Sequence, residues 1–287
     1  MQFLTRQFAK LFKPRPDFYS RYEKQIDQFG FDPDAFVKWE LFFRFLYEDY
    51  FQVQTLGIEN VPAEGRALLV GNHTGVIPMD ACMLYCAIYN LHPCPRRIRF
   101  VVLNELLSAP GIGRILSTSG GVPASFDVAR RLLQNDELVC IYPEGTNGTG
   151  KPFFMRYRLC DFHPGFVKEA IETNSPIIPV STIGGDEIYP LLGNLESVAR
   201  LMRIPYWPIT LTYPWLPFPL SAIPLPVKLL IKIGQPIHLD YPASKARDRD
   251  LLQQLAKEIQ YQIQRELNVL LSKRKSPFHS WNLEDLT

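Results

Sequence analysis

The sequence predicts an α/β fold: a mixed, mostly parallel central sheet flanked by helices, with an N-terminal helical segment ahead of it. Two observations carry this. Apolar runs of strand length alternate with amphipathic helical patterns from about residue 53 onward. The residues before that point show helical periodicity alone, and no internal repeat is visible.

Taken in order, residues 1–13 set Phe3, Leu4, Phe8, Leu11 and Phe12 on one helical face, with Arg6, Lys10 and Lys13 elsewhere. Such a basic amphipathic pattern suits a membrane interface, or equally a helix packed on its own domain. A second seam runs Phe36, Trp39, Phe43, Leu46 and Tyr50 at spacings of three and four, and a stripe this aromatic reads first as core. Buried-type strands are expected at Ala67–Val70, Ile98–Leu103, Leu138–Tyr142, Ile177–Ile183 and Val227–Ile237. Helical patterns lie between them near Pro78–Tyr89, Asp127–Leu133 and Phe166–Glu172. A long amphipathic helix closes the series at Asp248–Leu271, with Leu251, Leu255, Ile259, Ile263, Leu267 and Leu270 on its seam. The organisation is therefore a helical segment over residues 1–52, a main domain over 53–275 and a tail over 276–287.

With 287 residues and 46% apolar content, the chain can bury a full core. A formal charge of +2 gives no reason to expect nucleic acid as a partner. Five cysteines without a C-x-x-C pair argue against a disulfide framework or a zinc site and fit a reducing compartment. Cys82, Cys86 and Cys140 lie in apolar runs and read as core. Arg6 and Lys10 break any signal-peptide run, so the chain is expected to stay unsecreted.

Residues 204–227 carry no charge, yet seven prolines fall among them. Each proline inside a helix costs about 3 kcal/mol, so this is no ordinary membrane-spanning helix. It reads as a stiff aromatic loop, with Tyr206, Trp207, Tyr213, Trp215 and Phe218, able to dip into a bilayer, wall a pocket or pack on the sheet.

The chemistry centres on Ala67-Leu-Leu-Val-Gly-Asn-His-Thr-Gly-Val-Ile-Pro-Met-Asp80. A buried strand ends and turns at Gly71, placing Asn72 and His73 at its carboxyl end, where open α/β sheets hold their ligands. Pro78 suits a first helical position, which puts Asp80 in the first turn of the next helix. An Asp accepting from the imidazole Nδ1 leaves Nε2 free to take a proton. That is the base half of a triad without its serine, so the activated hydroxyl would belong to the substrate. Taken alone, the spacing does not separate this from a hydrogen-bonded loop histidine and a capping aspartate.

Two further segments follow in order: Tyr142-Pro-Glu-Gly-Thr146 after a second strand, and Pro176-Ile-Ile-Pro-Val180. Together with Asn72-His73 they resemble the glycerolipid (lysophospholipid) acyltransferase family, over about residues 53–240. The resemblance implies a domain that transfers a fatty acyl group from acyl-CoA or acyl carrier protein to an alcohol such as 1-acylglycerol-3-phosphate. It makes His73 the base and Asp80 its orienting partner. It puts Asn72, Glu144, Gly145 and Thr146 in the acceptor site and has Pro176 and Pro179 support the acyl or acceptor pocket. Arg156 is a candidate for the acceptor's charge. No metal or cofactor is implied, since a thioester is already activated. The partners are then the thioester donor, a lipid acceptor and a membrane surface, with the chain peripheral or monotopic on the cytoplasmic side.

Two departures bear on the acceptor. Six residues separate His73 from Asp80 where the commonest family pattern has four, which resembles the H-S-G-x-L-P-x-D variant of bacterial relatives and of a branch related to mono- and diacylglycerol acyltransferases. Ser125 and Phe126 also stand where phosphate-gripping members carry an arginine, which raises a neutral acceptor as the alternative. Lys151 and Arg156 would supply charge, bind donor phosphates or simply lie on the surface.

Gly145-Thr-Asn-Gly-Thr-Gly-Lys151 matches the opening of a phosphate-binding P-loop, but Pro152 replaces the required Ser or Thr. No G-x-S-x-G is present for a serine hydrolase. An inactive lipid-binding protein of the same fold is the non-enzymatic alternative, and the joint presence of His73, Asp80 and Glu144 argues against it.

Overall fold

The computed structural model describes residues 15–22, 26–202 and 206–286. The amphipathic pattern of residues 1–13 lies outside them. The strands are β1 (Gln54–Leu56), β2 (Ala67–Gly71), β3 (Ile98–Val102), β4 (Gly121–Pro123), β5 (Leu138–Ile141), β6 (Ile177–Ile183), β7 (Leu191–Asn194), β8 (Pro208–Thr210) and β9 (Leu230–Ile233). The central sheet has the order β1-β9-β6-β2-β5-β3-β4, and β7 with β8 forms a separate pair. Every neighbouring pair in the central sheet is parallel except β6 with β9, giving the mixed, mostly parallel sheet expected.

The sheet is covered on both faces, and β2 shows how. All five of its residues are buried. Leu68 and Val70 join one core, Ala67 and Leu69 the other, as the two-residue period of a strand requires. On the first face lie helices over Phe126–Gln134, Gly165–Thr173 and Arg249–Ser272; on the second lie those over Pro33–Phe45 and Met79–Leu91. In chain order these helices are α1 (Pro33–Phe45), α2 (Met79–Leu91), α3 (Phe126–Gln134), α4 (Gly165–Thr173) and α5 (Arg249–Ser272).

Local signals set the helix ends. Asp32 caps α1 by accepting from the amides of Asp34 and Ala35, with Pro33 behind it. Asp248 caps α5 through Leu251 N. The α5 seam is as expected except at its start, where Leu252 is buried and Leu251 only half-buried. Removing one seam residue, as in Leu267→Ala, costs about 2–5 kcal/mol.

The N-terminal segment packs on the main domain. Phe36 of α1 stacks on Tyr85 of α2 at 4.4 Å, and Phe18 meets Tyr89 edge-on at 5.0 Å. Trp39, placed on the seam from spacing, is instead exposed, because Glu40 takes the buried position and pairs with Arg44 and Asn90.

The apolar run Val227–Ile237 makes a strand only over Leu230–Ile233. Val180 pairs with Ile233 and Ile177 with Ile237, so the β9 side carries one extra residue between them. Pro179 sits at this bulge. Its carbonyl accepts from Gly234 N at 2.8 Å, so its nitrogen faces the bulge and no ladder bond is lost. Strands β1, β4, β7 and β8 were not expected; three of them are only three residues long, too short to show a period. The proline-rich segment is accordingly not all loop, since Pro208–Thr210 pairs with β7.

Candidate active site

Strands β6, β2 and β5 are adjacent and parallel, so the loops that follow them meet at one edge of the sheet. These loops bring together Asn72 and His73, Tyr142 to Gly145, and Gly184 to Asp186. The His73 Nδ1 lies 2.9 Å from Asp80 Oδ2. Asp80 is 0% exposed, in the first turn of α2, while the His73 side chain keeps 19% of its surface. Pro78 immediately precedes the helix instead of starting it.

Asp80 is fully engaged. Its Oδ2 also accepts from Thr74 N at 2.9 Å and its Oδ1 from Ala81 N at 2.8 Å. A carboxylate with these donors only accepts, which assigns the ring hydrogen to Nδ1 and leaves the Nε2 lone pair free. The imidazole stacks on the Tyr142 ring at 4.4 Å, with 14° between planes. Burial pushes the Tyr142 phenol well above its ordinary value, so this face stays neutral.

The neighbouring turns hold the histidine from behind. His73 N donates to Glu144 Oε1 at 3.0 Å. The other oxygen of Glu144 accepts from Lys151 Nζ at 3.1 Å and from Cys160 N at 2.7 Å. Lys151 and Glu144 are both buried, and Lys151 also donates to Arg158 O. The surface position considered for Lys151 is thus replaced by a buried ion pair. Its ammonium is held by Glu144 and the Arg158 carbonyl.

Asn72 is buried, with Nδ2 donating to Thr182 O and Oδ1 accepting from Thr182 N, at 3.0 and 2.8 Å. Asn72 and Glu144 were both expected in the acceptor site. Their polar atoms are bonded inward, fastening β2 to β6 and the His73 backbone to the β5 turn. Gly145 adopts φ +56° and ψ −143°, open only to glycine. Thr146 opens the short helix Thr146–Thr149, and its carbonyl accepts from Gly150 N. Gly148 in that helix lets it approach: a Cβ there would lie 2.9 Å from the Cβ atoms of both His73 and Glu144.

Pro176 accepts from Leu68 N through its carbonyl, and Pro179 lies buried in β6, so both shape the sheet beneath the site. Arg156 stands apart, its guanidinium 4.5 Å over the Phe153 ring and 3.8 Å from Glu187. Asp186 was missed from the sequence. It accepts from Gly75 N and from Tyr157 N, each at 3.1 Å, and so ties the His73 loop to the segment after Lys151. Its signal was its place, just after the carboxyl end of β6.

The architecture is that of a solved lipid enzyme. The crystal structure of the 1-acyl-sn-glycerophosphate (LPA) acyltransferase, PlsC, from Thermotoga maritima matches with a TM-score of 0.52 and 20% identity, over 82% of this chain and 76% of that one. At that identity the likeness concerns the fold. The acyltransferase family profile matches residues 52–183, which include the His73, Asp80 and Glu144 turns. An uncharacterized protein of Mycobacterium leprae (strain TN) is 40% identical over 258 residues, 88% of this chain and 70% of its own length. A Bos taurus protein named DGAT1/2-independent enzyme synthesizing storage lipids is 29% identical over 184 residues, 64% of this chain and 52% of its own. The chain belongs to the glycerolipid acyltransferase family. The family match makes it an acyltransferase.

Proposed function

We propose that the protein transfers a fatty acyl group from a thioester donor to a lipid hydroxyl, with His73 as general base. The observation that carries this is the 2.9 Å contact from His73 Nδ1 to the buried Asp80 carboxylate, which leaves Nε2 for the acceptor. The acceptor O–H gives its proton to Nε2 as its oxygen bonds to the thioester carbonyl carbon. When the tetrahedral intermediate collapses, the C–S bond breaks and the thiolate takes the proton from the imidazolium. Asp80 stabilises the imidazolium between the two steps, and backbone amides are suited to the oxyanion.

Between a phosphorylated acceptor such as 1-acylglycerol-3-phosphate and a neutral one, we favour the neutral: monoacylglycerol or diacylglycerol. Lys151, the cation nearest the base in sequence after the second turn, is committed to Glu144, and Phe126 is exposed where a phosphate grip would stand. The storage-lipid description of the Bos taurus relative supports the same choice. A competition among lysophosphatidate, monoacylglycerol and diacylglycerol with one acyl-CoA, read by thiol release and product analysis, tests it. Preference for lysophosphatidate would overturn the neutral acceptor; thiol release unaffected by any alcohol would overturn the transfer.

Such acceptors reside in membranes. Among the described residues no helix is long and apolar enough to cross one. Peripheral contact is supported by the uncharged proline-rich segment, where Trp215 is 66% and Phe218 85% exposed beside Leu216, Leu220 and Ile223. Tyr206 of the same segment donates to Val76 O in the His73 loop, so this surface adjoins the site.

A further inference from the structure

A cleft of about 520 Å³ lies between the segment after Lys151 and the end of α5. Arg156, Arg158, Arg274 and Lys275 line it, against the single carboxylate of Glu187. That carboxylate is shared: Arg274 Nη1 lies 2.6 Å from one oxygen and Arg156 Nε 3.8 Å from the other. Arg158 and Lys275 are exposed and have no ion-pair partner among the described residues. The cleft therefore carries a surplus of positive charge focused in a concavity.

The cleft is a built feature. The Arg274 side chain is only 5% exposed and is fixed, donating to Tyr157 Oη, Lys228 O and Pro277 O, with its guanidinium over Trp281 at 4.9 Å. Its Nε has no hydrogen-bond partner, which leaves one N–H of the guanidinium unbonded inside the protein. Tyr157 holds φ +63°, a left-handed conformation costly for a tyrosine. Its hydroxyl is bonded by Gly184 N and Arg274, which locks the turn that presents Arg156 and Arg158 on either side. Phe154, 77% exposed, lines the cleft and offers a ring face.

Guanidinium forks match phosphate oxygens, and an open aromatic ring stacks on a nucleobase. A nucleotide offers both a phosphate and a base to such a cleft, whereas an acidic carrier protein offers carboxylates and no base. Asp186 joins the cleft to the catalytic loop, since one oxygen accepts from Tyr157 N and the other from Gly75 N, two residues past the base. We infer that this cleft binds the phosphorylated adenosine end of the acyl donor, which makes the donor a coenzyme A thioester. The inference rests on the acyl-transfer reading above for the donor's identity, while the cleft's affinity for phosphates stands on its own residues.

The test is calorimetric titration of the full chain with coenzyme A, with adenosine 3′,5′-bisphosphate and with an acylated carrier protein. We expect the wild type to bind the first two, and Arg158→Glu with Lys275→Glu to weaken both by about tenfold or more. In steady state, the ratio of KM values for pantetheine and coenzyme A thioesters should fall towards one in that variant. Coenzyme A binding with undiminished affinity to the variant would overturn the assignment, as would carrier-protein binding with none for the bisphosphate. His73→Ala should bind coenzyme A as the wild type does. If no thioester is turned over but the bisphosphate still binds in the cleft, the acyl-transfer reading fails and the phosphate site survives; the reverse result condemns the site alone.

Discussion

Glu144 accepts a hydrogen bond from the backbone amide of His73 at 3.0 Å, so the turn after β5 holds the turn after β2. The same carboxylate neutralises the buried Lys151. Glu144→Gln keeps an oxygen for His73 N but strands the ammonium, and breaking such a pair costs about 3–5 kcal/mol. We expect a large drop in Tm, recovered substantially when Lys151→Met is added. If the double variant regains the fold and most of the activity, Glu144 is a positioning residue. A refolded but inactive double variant would return Glu144 to the acceptor site.

Asp80 accepts from His73, Thr74 and Ala81 with no exposure to water. An asparagine there must turn an NH₂ towards at least one backbone N–H. Asp80→Asn should therefore lower kcat by about two to four orders of magnitude and cost about 1–3 kcal/mol of stability as well. His73→Ala removes the base from a partly open position and should abolish transfer with a Tm close to wild type. Appreciable residual transfer in His73→Ala would end the base assignment.

Much of this site was legible in the sequence because its strands are uninterrupted apolar runs. β2, β5 and β6 each read as buried strands, and polar residues at their ends pointed to the correct sheet edge. Partners were harder to see. Asn72 is bonded to Thr182 and Glu144 to His73, contacts set by which strands neighbour one another, and strand order is not written in local pattern. Lys151 read as a charge for the acceptor, a ligand of donor phosphates or a surface residue, as lysines mostly are; Glu144 and the Arg158 carbonyl offset its burial. Pro179 in a central strand looks out of place until the extra residue near Gly234 is seen opposite it.

Gly148 has a sharper role than its motif suggested. A methyl group at this position would press on the Cβ atoms of both His73 and Glu144 at 2.9 Å. Gly148→Ala should displace the imidazole by a few tenths of an ångström, and misplacements of about 1 Å cost around 100-fold in rate. We expect kcat to fall while CoA binding, measured by calorimetry, holds. An unchanged kcat would show that the short helix can shift without moving the base.

Trp215 and Phe218 are exposed on a segment with no charged residue between positions 204 and 227. Burying such side chains in lipid is worth about 1.5–3 kcal/mol each. Trp215→Ser with Phe218→Ser should weaken liposome binding by at least about tenfold, with little change in activity on detergent-dispersed acceptor. Undiminished flotation with liposomes would place the membrane contact elsewhere.

Glu169 gives a pH dependence with a definite sign. It lies buried in α4 with Oε2 unbonded, and burial, with Glu172 beside it, pushes its carboxyl from 4.5 up to about 8. Below about 4.5 both folded and unfolded chains hold the proton, and its contribution is flat. As pH rises from there to about 8, the unfolded chain releases the proton while the folded one keeps it, so this group makes stability fall. Above that range both are ionised and the loss levels off. Glu169→Gln cannot ionise, so its unfolding free energy from urea titration should decline less between pH 5 and 8 than the wild type's, both values lying within the range set by the shift. Parallel pH profiles for the two proteins would mean that Glu169 is charged and solvated in the folded state.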